Sequence, residues 1–416
     1  MISVHELAKR TYYAYHEFLK IGTTQLKNDV LRTIAENIDK DRDFLVRQNM
    51  MDIEQGKAAG LTQAFLDRLL LNDKRIQGMI TACLEVASLD DPVGSIEKMV
   101  VRPEGFKVGR MRVPIGVIGI IYEARPNVTI EAATLCLKSG NAVLLKGGSN
   151  ALHSNKALIE ILKKSLKDHG VNENLISFID SKDRSAVQEM VQQDQYLHLV
   201  IPRGGEGLIR HVVEHASVPV LKHYKGVCHV YIHEDAEQEM AYKIAENAKI
   251  QRPAVCNAME TLLIHKNTGE DFIVKTLSGL KQKGVTIRGC ETTQKLFHEA
   301  EPATEQDWSA EYLDYTLAVR IVNTMEEAIA HINNYGSAHT DAIVTRDIRI
   351  ADTFINLVDS ASVMVNATTR LSDGSVYGLG AEIGISTDKL HARGPMGLEG
   401  LTTYKWIVKG DGHIRT

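Results

Sequence analysis

The strongest constraint on the fold lies between residues 116 and 221, where short apolar runs alternate with amphipathic stretches. The apolar runs are GVIGIIY, AVLL, LISFID, LHLVI and VPVL, at residues 116–122, 142–145, 175–180, 197–201 and 218–221. Continuous apolar runs are typical of strands buried on both faces, and the intervening helices predict a parallel sheet with right-handed crossovers. The helices are predicted over 127–138, from 149 or 150 to 170, over 183–193 and up to about 215.

Polar residues follow several of these predicted strands. Asn127, Lys146 and the pair Gly204-Gly205 all come shortly after an apolar run, and in open parallel sheets ligands bind beyond the carboxyl ends of the strands. Lys146 precedes two glycines and then Ser149 and Asn150, either of which is predicted to cap the next helix. The alternative for Lys146 is a solvated loop lysine. The fingerprints GxGxxG and the Walker P-loop are absent, so a dinucleotide bound here would lack the usual phosphate turn.

The remaining regions have simpler patterns. Residues 1 to about 90 are predicted to be helical, with one helix starting at Asn72-Asp73 and burying Cys83. Residues 99–114 are predicted to form a hairpin around a Pro-Glu-Gly turn. A second α/β stretch begins near Val227. Later strands are predicted at LAVRIV, VMVN and LTTYKWIV, residues 317–322, 363–366 and 401–408.

Composition excludes several classes of protein. The chain has 416 residues, 44% of them hydrophobic, which is enough for two or three domains. Its net charge of −5 favours neither nucleic acid nor a membrane surface as a partner. No apolar run reaches the roughly 18 residues that span a bilayer, and the N-terminus lacks the signal-peptide pattern. The five scattered cysteines without a CxxC pair indicate thiols in a reducing compartment, so a cytoplasmic location is expected.

One cysteine is a candidate nucleophile. Cys256 lies in QRPAVCNAMETLLIH, where Pro253 favours a loop or turn just before it. Arg252 is close in sequence and would favour the thiolate form. The structural alternative is a buried thiol that only fills space in the core.

A rival chemistry is indicated by HVVEH at residues 211–215. The pattern fits the HxxEH motif of inverted zinc metallopeptidases. His211 and His215 would share one helix face, with Glu214 between them in sequence. Against this interpretation, the motif falls inside a regular succession of strands and helices rather than in a protease scaffold.

Several long segments resemble the aldehyde dehydrogenase superfamily, over essentially the whole chain. They are VPIGVIGIIYEARPNVTIEAATLCLKSGNAVLLKGGSNA, IPRGGEGLI, QRPAVCNAMETLLIH, HINNYGSAHTDAIVT, GLGAEIGIST and LHARGPMGLEGLTTYK. Within the superfamily they are most similar to the branch that reduces γ-glutamyl phosphate. The resemblance implies an aldehyde dehydrogenase-like α/β fold with three parts. These are a Rossmann-type NADP-binding domain (1–98 and 115–225), an α/β catalytic domain (226–395) and a small β oligomerisation arm (99–114 and 396–416).

The resemblance also implies a covalent mechanism. The Cys256 thiolate would attack the acyl carbon and expel phosphate, and hydride from NADPH would reduce the resulting thioester to the aldehyde. Asn127 matches the asparagine whose side-chain N–H, with the Cys256 backbone N–H, stabilises the oxyanion. The implied cofactor-binding residues are Lys146, Ser149, Gly204, Gly205 and Glu311. No metal is implied.

Substrate binding requires cations, because the expected substrate carries a carboxylate and a phosphate. Guanidinium groups pair with both, so the candidates are Arg125, Arg252, Arg370 and Arg393. The alternative for each arginine is a structural ion pair. Asn366 matches a superfamily asparagine near the active site and is added to the predicted substrate-binding residues.

Two departures from other members of the superfamily refine the prediction, and a third, Leu313, concerns the packing of the nicotinamide. The glutamate that activates water in the hydrolytic members falls in a stretch that is KHYKG here, residues 222–226, without a carboxylate. A reductase should lack that base, although His223 is another possible one. Ser149 replaces a glutamate that binds the ribose in NAD-preferring relatives, which predicts NADPH over NADH. Leu313 replaces the aromatic residue that usually follows the glutamate matched by Glu311.

The predicted product is glutamate 5-semialdehyde, which feeds proline synthesis. The alternative is an aldehyde dehydrogenase that oxidises another small aldehyde, and phosphate dependence separates the two. The resemblance implies a homo-oligomer, a dimer or a tetramer, built through the β arm. The pathway implies a glutamate 5-kinase as the partner that supplies the acyl phosphate.

Overall fold

The computed structural model describes residues 2–123 and 125–415. Its contacts divide the chain into two compact units. The first extends up to Lys222 and includes Gly378–Gly384 and the chain from Met396 onward; the second comprises His223–Tyr377 and Ile385–Pro395. The predicted arm segments group with the first unit, and so does 378–384, which was predicted to lie in the catalytic domain. The functional roles of the two units remain predictions.

The first unit begins with a helical region, as predicted. Its helices are α1 (Val4–Ile21), α2 (Thr24–Lys40), α3 (Arg42–Ala58), α4 (Gln63–Leu69) and α5 (Asp73–Ser88). Helix α5 begins where the sequence predicts, because the Asn72 side chain accepts a hydrogen bond of 3.0 Å from the Arg75 backbone N–H. Cys83 is fully buried in the apolar stripe of this helix, which confirms it as a core residue.

The predicted hairpin follows. It consists of the antiparallel strands β1 (Ile96–Val101) and β2 (Lys107–Pro114). The turn between them contains Gly105 at a φ of +96°, a conformation that glycine adopts without steric cost.

The region with the alternating pattern forms a parallel sheet. Its elements are β3 (Val117–Tyr122), α6 (Asn127–Lys138), β4 (Ala142–Gly147), α7 (Leu152–Asp168), β5 (Ile176–Phe178), α8 (Ser185–Val191), β6 (Leu199–Arg203) and α9 (Glu206–His215). The strand order is β5-β4-β3-β6, every pair is parallel, and the strands are buried almost throughout. The prediction of a parallel α/β sheet is therefore confirmed.

Two local predictions in this region were wrong. Neither Ser149 nor Asn150 caps α7, because both belong to a preceding turn of 3₁₀ helix. The cap comes instead from α3, where the Asp52 carboxylate accepts hydrogen bonds from the backbone N–H groups of His153 and Ser154, at 3.1 and 2.8 Å.

The segment VPVL, residues 218–221, is not a strand. It forms a single bridge, between Val200 and Val220. Pro219 lies beside this bridge and has no backbone N–H, so it cannot donate to a strand ladder. An apolar run of this length is therefore extended next to β6 without adding a strand to the sheet.

The second unit contains a larger parallel sheet with helices packed on it. Its elements are β7 (Cys228–Ile232), α10 (Gln238–Ile250), β8 (Met259–His265), α11 (Glu270–Gln282), β9 (Thr286–Gly289), α12 (Glu291–Leu296), β10 (Glu301–Pro302), β11 (Thr316–Val322), α13 (Met325–Tyr335), β12 (Thr340–Val344), α14 (Ile348–Leu357), β13 (Ser362–Val365), β14 (Ile385–Ser386) and β15 (Gly394–Pro395). The strand order is β10-β9-β11-β8-β7-β12-β13, and β14 pairs with β15 apart from it. The strands predicted at 317–322 and 363–366 are thus confirmed as β11 and β13.

The tail forms the last strand, β16 (Thr402–Lys409), as predicted. It pairs antiparallel with β2, from Thr402 opposite Pro114 to Lys409 opposite Lys107. The hairpin and the tail therefore form one sheet of order β1-β2-β16. None of the helices that the structure describes is both long and apolar enough to cross a membrane.

Candidate active site

Cys256 lies in the irregular segment between α10 and β8, and its side chain is half-buried. Its carbonyl oxygen accepts a hydrogen bond of 3.2 Å from the thiol of Cys228, the first residue of β7. Since Cys256 precedes β8, it lies at the amino edge of the second sheet. Glu311 precedes β11 and so lies toward the same edge.

The stretch KHYKG runs beside this cysteine. The backbone N–H of Gly226 donates a hydrogen bond of 2.7 Å to Glu311 Oε1. A Cβ atom at residue 226 would overlap the Cys256 carbonyl group, so the close approach requires glycine. Glu311, predicted to bind the cofactor ribose, therefore helps to hold the chain next to the candidate nucleophile.

Two histidines complete the surroundings of Cys256. His223 donates from Nδ1 to the carbonyl oxygen of Ile385 at 2.8 Å. His339 is fully buried directly before β12, and its Nδ1 shares a hydrogen bond of 2.9 Å with Thr340 Oγ1. One side-chain atom from each of Cys256, His223 and His339 lies within 4.8 Å of the others.

Burial lowers the pKa of His339 to about 3, and the neighbouring His223 adds to this effect. The imidazole is therefore neutral near pH 7. Sequence reasoning missed this residue, although it lies within HINNYGSAHTDAIVT, one of the segments that carry the family resemblance. Only the placement of β12 beside β7 brings it to Cys256.

Two of the predicted substrate-binding arginines lie near Cys256. Arg370 donates from Nε to Gln251 Oε1 at 2.9 Å, and Arg252 is the next residue along the chain from Gln251. Burial lowers the pKa of Arg370, the positive charge of Arg252 lowers it further, and the charge of a Cys256 thiolate opposes this. The Arg370 guanidinium is therefore close enough to Cys256 to favour the thiolate, and Arg252 is close to Arg370.

The other predicted substrate-binding residues have different surroundings. Arg393 makes an ion pair with Asp359, at 2.9 Å between Nη1 and Oδ1, and also donates to the Asp359 carbonyl at 2.9 Å. Asn366 follows β13, so it lies at the carboxyl edge of the sheet, opposite to Cys256. Its side-chain amide pairs with both backbone polar groups of Thr345, at 3.0 and 2.9 Å. The side chain of Arg125 lies in the first unit and is exposed.

In the first unit, the predicted cofactor residues share one edge of the sheet. Strand register sets Tyr122 opposite both Gly147 and Arg203, so Lys146 and the glycines at 204 and 205 lie together at the carboxyl edge. The Lys146 side chain is buried and donates to the Gly147 carbonyl at 2.9 Å. Burial also lowers its pKa. Gly205 directly precedes α9, and Ser149 is exposed.

Asn127 is the first residue of α6, at the same edge. Its Nδ2 donates a hydrogen bond of 2.8 Å to Glu131 Oε1, one helical turn along. A primary amide has two N–H groups. The Glu131 carboxylate therefore orients the amide and leaves a second N–H for another acceptor.

A buried ion pair lies beside the Cys256 segment and was also missed by sequence reasoning. Lys249 Nζ is 2.6 Å from Glu260 Oε2, and both side chains are fully buried. The other carboxylate oxygen of Glu260 accepts a hydrogen bond of 3.1 Å from the Leu313 backbone N–H. The pair flanks the nucleophile in sequence and ties the end of α10 to the start of β8.

The zinc-peptidase alternative receives no support from the geometry of α9. The rings of His211 and His215 lie 4.3 Å apart, but His215 Nδ1 is bonded to the His211 carbonyl at 2.8 Å. Among the residues that the structure describes, the ligand atoms of these histidines and Glu214 do not converge as a group of three.

Comparison with known proteins identifies the family. The sequence model described as "Aldehyde dehydrogenase family" matches residues 3–288, more than half of the chain. The chain belongs to the aldehyde dehydrogenase family. This aldehyde dehydrogenase family member is therefore an enzyme, an oxidoreductase with the fold predicted from its sequence.

Similar proteins include γ-glutamyl phosphate reductases. The one from Thermodesulfovibrio yellowstonii is 52% identical over 96% of this chain and 95% of that protein. The one from Moorella thermoacetica is 50% identical over 100% of this chain and 99% of that protein. A crystal structure of γ-glutamyl phosphate reductase from Thermotoga maritima is 46% identical, covers 100% of both chains and has a TM-score of 0.98. This family member thus shares its fold with the Thermotoga maritima reductase over its whole length.

Proposed function

We propose that this enzyme reduces L-glutamyl 5-phosphate to L-glutamate 5-semialdehyde and phosphate with NADPH, in the biosynthesis of proline. The names of relatives about 50% identical over the full length support the substrate. The observation that carries the proposal is the surroundings of Cys256. A half-buried thiol lies near Arg370 and follows Arg252 by four residues in the chain, and the adjacent stretch KHYKG contains no carboxylate that would activate water.

The chemistry at Cys256 follows from these neighbours. Positive charge from Arg252 and Arg370 favours the thiolate and attracts a substrate that carries a carboxylate and a phosphate. The sulfur attacks the acyl carbon, the carbonyl π bond opens to an oxyanion, and the oxyanion collapses to expel phosphate. The product of this step is a thioester on Cys256. The proposed donors to the oxyanion are the Cys256 backbone N–H and the second side-chain N–H of Asn127.

The first unit has the groups that a nicotinamide dinucleotide phosphate would require. Lys146 offers a buried cation, and the backbone at Gly204 and Gly205 leads into the start of α9. Ser149 places a hydroxyl, not a carboxylate, where a 2′-phosphate is expected. When bound, NADPH supplies the hydride that reduces the thioester. Glu311 is proposed to hold the ribose on the nicotinamide side.

The candidate substrate-binding residues now differ in their support. Arg252 and Arg370 are proposed to bind the anionic groups, because they lie near Cys256. Arg125 remains a proposal from its position in the segment EARPN. Arg393 and Asn366 already have intramolecular partners, Asp359 and Thr345. In the proposed complex, either residue would have to release its partner before it could contact the substrate.

The reverse reaction tests the proposed function. Glutamate semialdehyde, supplied as its cyclic form with NADP⁺, should yield NADPH only when phosphate is present. Cys256→Ala should lower the rate by more than about 10⁴-fold. Cys290→Ala is the matched control, because Cys290 is also a half-buried thiol but lies after β9, at the opposite edge of the sheet. Activity that survives in Cys256→Ala would contradict the covalent mechanism.

Phosphate-independent oxidation would instead favour the second candidate, an aldehyde dehydrogenase acting on another small aldehyde. The absence of a carboxylate in KHYKG is the observation against it. We also propose that the enzyme is a homo-oligomer, a dimer or tetramer, assembled through the sheet β1-β2-β16. A glutamate 5-kinase is the proposed source of the acyl phosphate, since that substrate is made by phosphorylation of glutamate.

A further inference from the structure

Three potential metal ligands meet at the amino edge of the second sheet. They come from separate segments: His223 precedes β7, Cys256 precedes β8 and His339 precedes β12. One side-chain ligand atom from each lies within 4.8 Å of the other two. A thiol and two imidazoles are the ligand types that Zn²⁺ prefers, whereas Mg²⁺ and Ca²⁺ prefer oxygen.

A second observation independently points to a ligand at this cluster. His339 is fully buried, and its Nε2 atom has no hydrogen-bond partner in the structure. Buried polar atoms are nearly always paired, so an exception requires an explanation. A metal ion bound through Nε2 would satisfy this atom.

The outer contacts of the two histidines suit metal binding as well. His223 donates from Nδ1 to the Ile385 carbonyl at 2.8 Å, so Nε2 is its ligand atom in the proposed site. The hydrogen bond of 2.9 Å between His339 Nδ1 and Thr340 Oγ1 occupies Nδ1, so Nε2 is the ring nitrogen left without a partner. Metal-binding histidines almost always use their second nitrogen in such a contact, which fixes the ring orientation.

We propose that Zn²⁺ binds reversibly to the Cys256 thiolate, His223 Nε2 and His339 Nε2, with water as a fourth ligand, and thereby inhibits the enzyme. Zinc–sulfur and zinc–nitrogen distances of about 2.3 and 2.0 Å in a tetrahedral site set the ligand atoms about 3.3–3.6 Å apart. The cluster, with its spread of up to 4.8 Å, needs only a small contraction to reach this geometry.

Metal binding and catalysis exclude each other at this cluster. On binding, Cys256 loses its proton to solvent and its sulfur lone pair to the metal, so the sulfur cannot attack an acyl carbon. Zinc is therefore an inhibitor that competes with the acyl phosphate, not a cofactor. The inhibition rests on the proposed role of Cys256 as nucleophile, but the binding itself does not.

Cobalt titration of the purified full chain tests the binding without any assay of activity. Co²⁺ added to the metal-free protein should produce a thiolate-to-cobalt charge-transfer band that excess Zn²⁺ abolishes. Cys256→Ala should lack the band, and His339→Gln and His223→Gln should each weaken affinity by more than about 10-fold. The matched control is the double variant His211→Gln/His215→Gln, which removes a different close histidine pair, with ring centres 4.3 Å apart, and should bind as the wild type does.

Inhibition is measured in the reverse reaction with and without Zn²⁺. Competitive inhibition that a chelator reverses is expected. If the wild type shows no charge-transfer band, or if the control double variant loses it, the site is overturned, whatever the activity. If the charge-transfer band forms but turnover does not depend on phosphate, the proposed function is contradicted and the metal site is still supported. Thermal unfolding of each variant checks that His339→Gln folds, and His223→Gln provides a second test at a less buried ligand.

Discussion

Gly226 packs so closely against Cys256 that no side chain fits between them. A Cβ atom at residue 226 would come within 2.5 Å of the Cys256 Cα and carbonyl carbon. The same glycine donates its backbone N–H to Glu311. The candidate nucleophile is therefore positioned by backbone that lies 30 residues earlier in the sequence, and not only by its own loop.

Gly226→Ala should separate these two segments and misplace the thiol. We expect kcat to fall by at least about 100-fold, because misplacement by about 1 Å can cost that much. Gly78→Ala is the matched control, since Gly78 lies in α5 and a Cβ there meets no atom within 4 Å. It should keep full activity and gain a little stability. Steady-state kinetics and thermal unfolding measure both effects, and a fully active Gly226→Ala enzyme would contradict the positioning role.

The buried pair Lys249–Glu260 should be more sensitive to loss of one partner than to loss of both. Burial raises the pKa of Glu260 to about 7 and lowers the pKa of Lys249, which shows how costly each charge is. Lys249→Met should lower the free energy of unfolding by about 3–5 kcal/mol, because it leaves the Glu260 carboxyl group buried without its partner, either charged or forced to take up a proton. The double variant Lys249→Met/Glu260→Leu should recover part of that loss. Denaturant unfolding of the three proteins checks this, and additive losses would argue against a coupled pair.

Acid should destabilise the protein through buried neutral histidines. Burial, with His229 and Arg320 nearby, lowers the pKa of His331 from 6.5 to about 2. The unfolded chain binds a proton at this residue below pH 6.5 and the folded chain does not. Stability is therefore lost as the pH falls from 6.5 toward 2, by about 2 kcal/mol at pH 5.

His331→Gln should reduce the difference in unfolding free energy between pH 8 and pH 5 by this amount. His298→Gln, at an exposed position, is the control and should leave the difference unchanged. Urea unfolding at the two pH values measures this difference in unfolding free energy. A loss of stability that is equal at both pH values cancels out of it. If the difference is unchanged in His331→Gln, the folded and unfolded chains bind the same number of protons at this histidine, and the prediction fails.

Cofactor preference should depend on the residue at position 149. Ser149→Glu should raise the KM for NADP⁺ by about 10-fold or more, because a carboxylate repels the 2′-phosphate. The KM for NAD⁺ in the same variant is the internal control and should rise little or fall. Initial rates measured with each cofactor give the two KM values. Equal effects on the two constants would show that Ser149 does not face the 2′-phosphate.

Self-association should depend on the sheet β1-β2-β16. This sheet exposes Val101, Trp406 and Val408, with 66%, 65% and 63% of each residue accessible. Apolar exposure of this kind is typical of a surface that another chain covers. Trp406→Glu should therefore reduce the mass measured by light scattering after gel filtration. Ile348→Glu, at a residue 71% exposed on α14, is the matched control, and an equal loss of mass in both variants would argue against this sheet.

Elements that depend on neighbouring residues could be predicted from the sequence. Continuous apolar runs predicted β3, β4 and β6, and the Asn72 side chain predicted the start of α5, because strand burial and helix capping involve residues a few positions apart. The family motifs identified Cys256 and Lys146 as candidates. The parallel sheet then followed from the alternation of strands and helices, and so did the meeting of Lys146 with Gly204 at one edge.

Contacts between residues that are distant in sequence could be seen only in the tertiary structure. Asp52, not Ser149, caps α7, because α3 packs against the start of that helix. His339 reaches Cys256 only through the pairing of β12 with β7 and of β7 with β8. No local pattern encodes strand order, since the free energy that fixes it comes from burying apolar faces across the whole sheet. The surroundings of Cys256 therefore depend on the fold, whereas the sequence alone was enough to make Cys256 a candidate nucleophile.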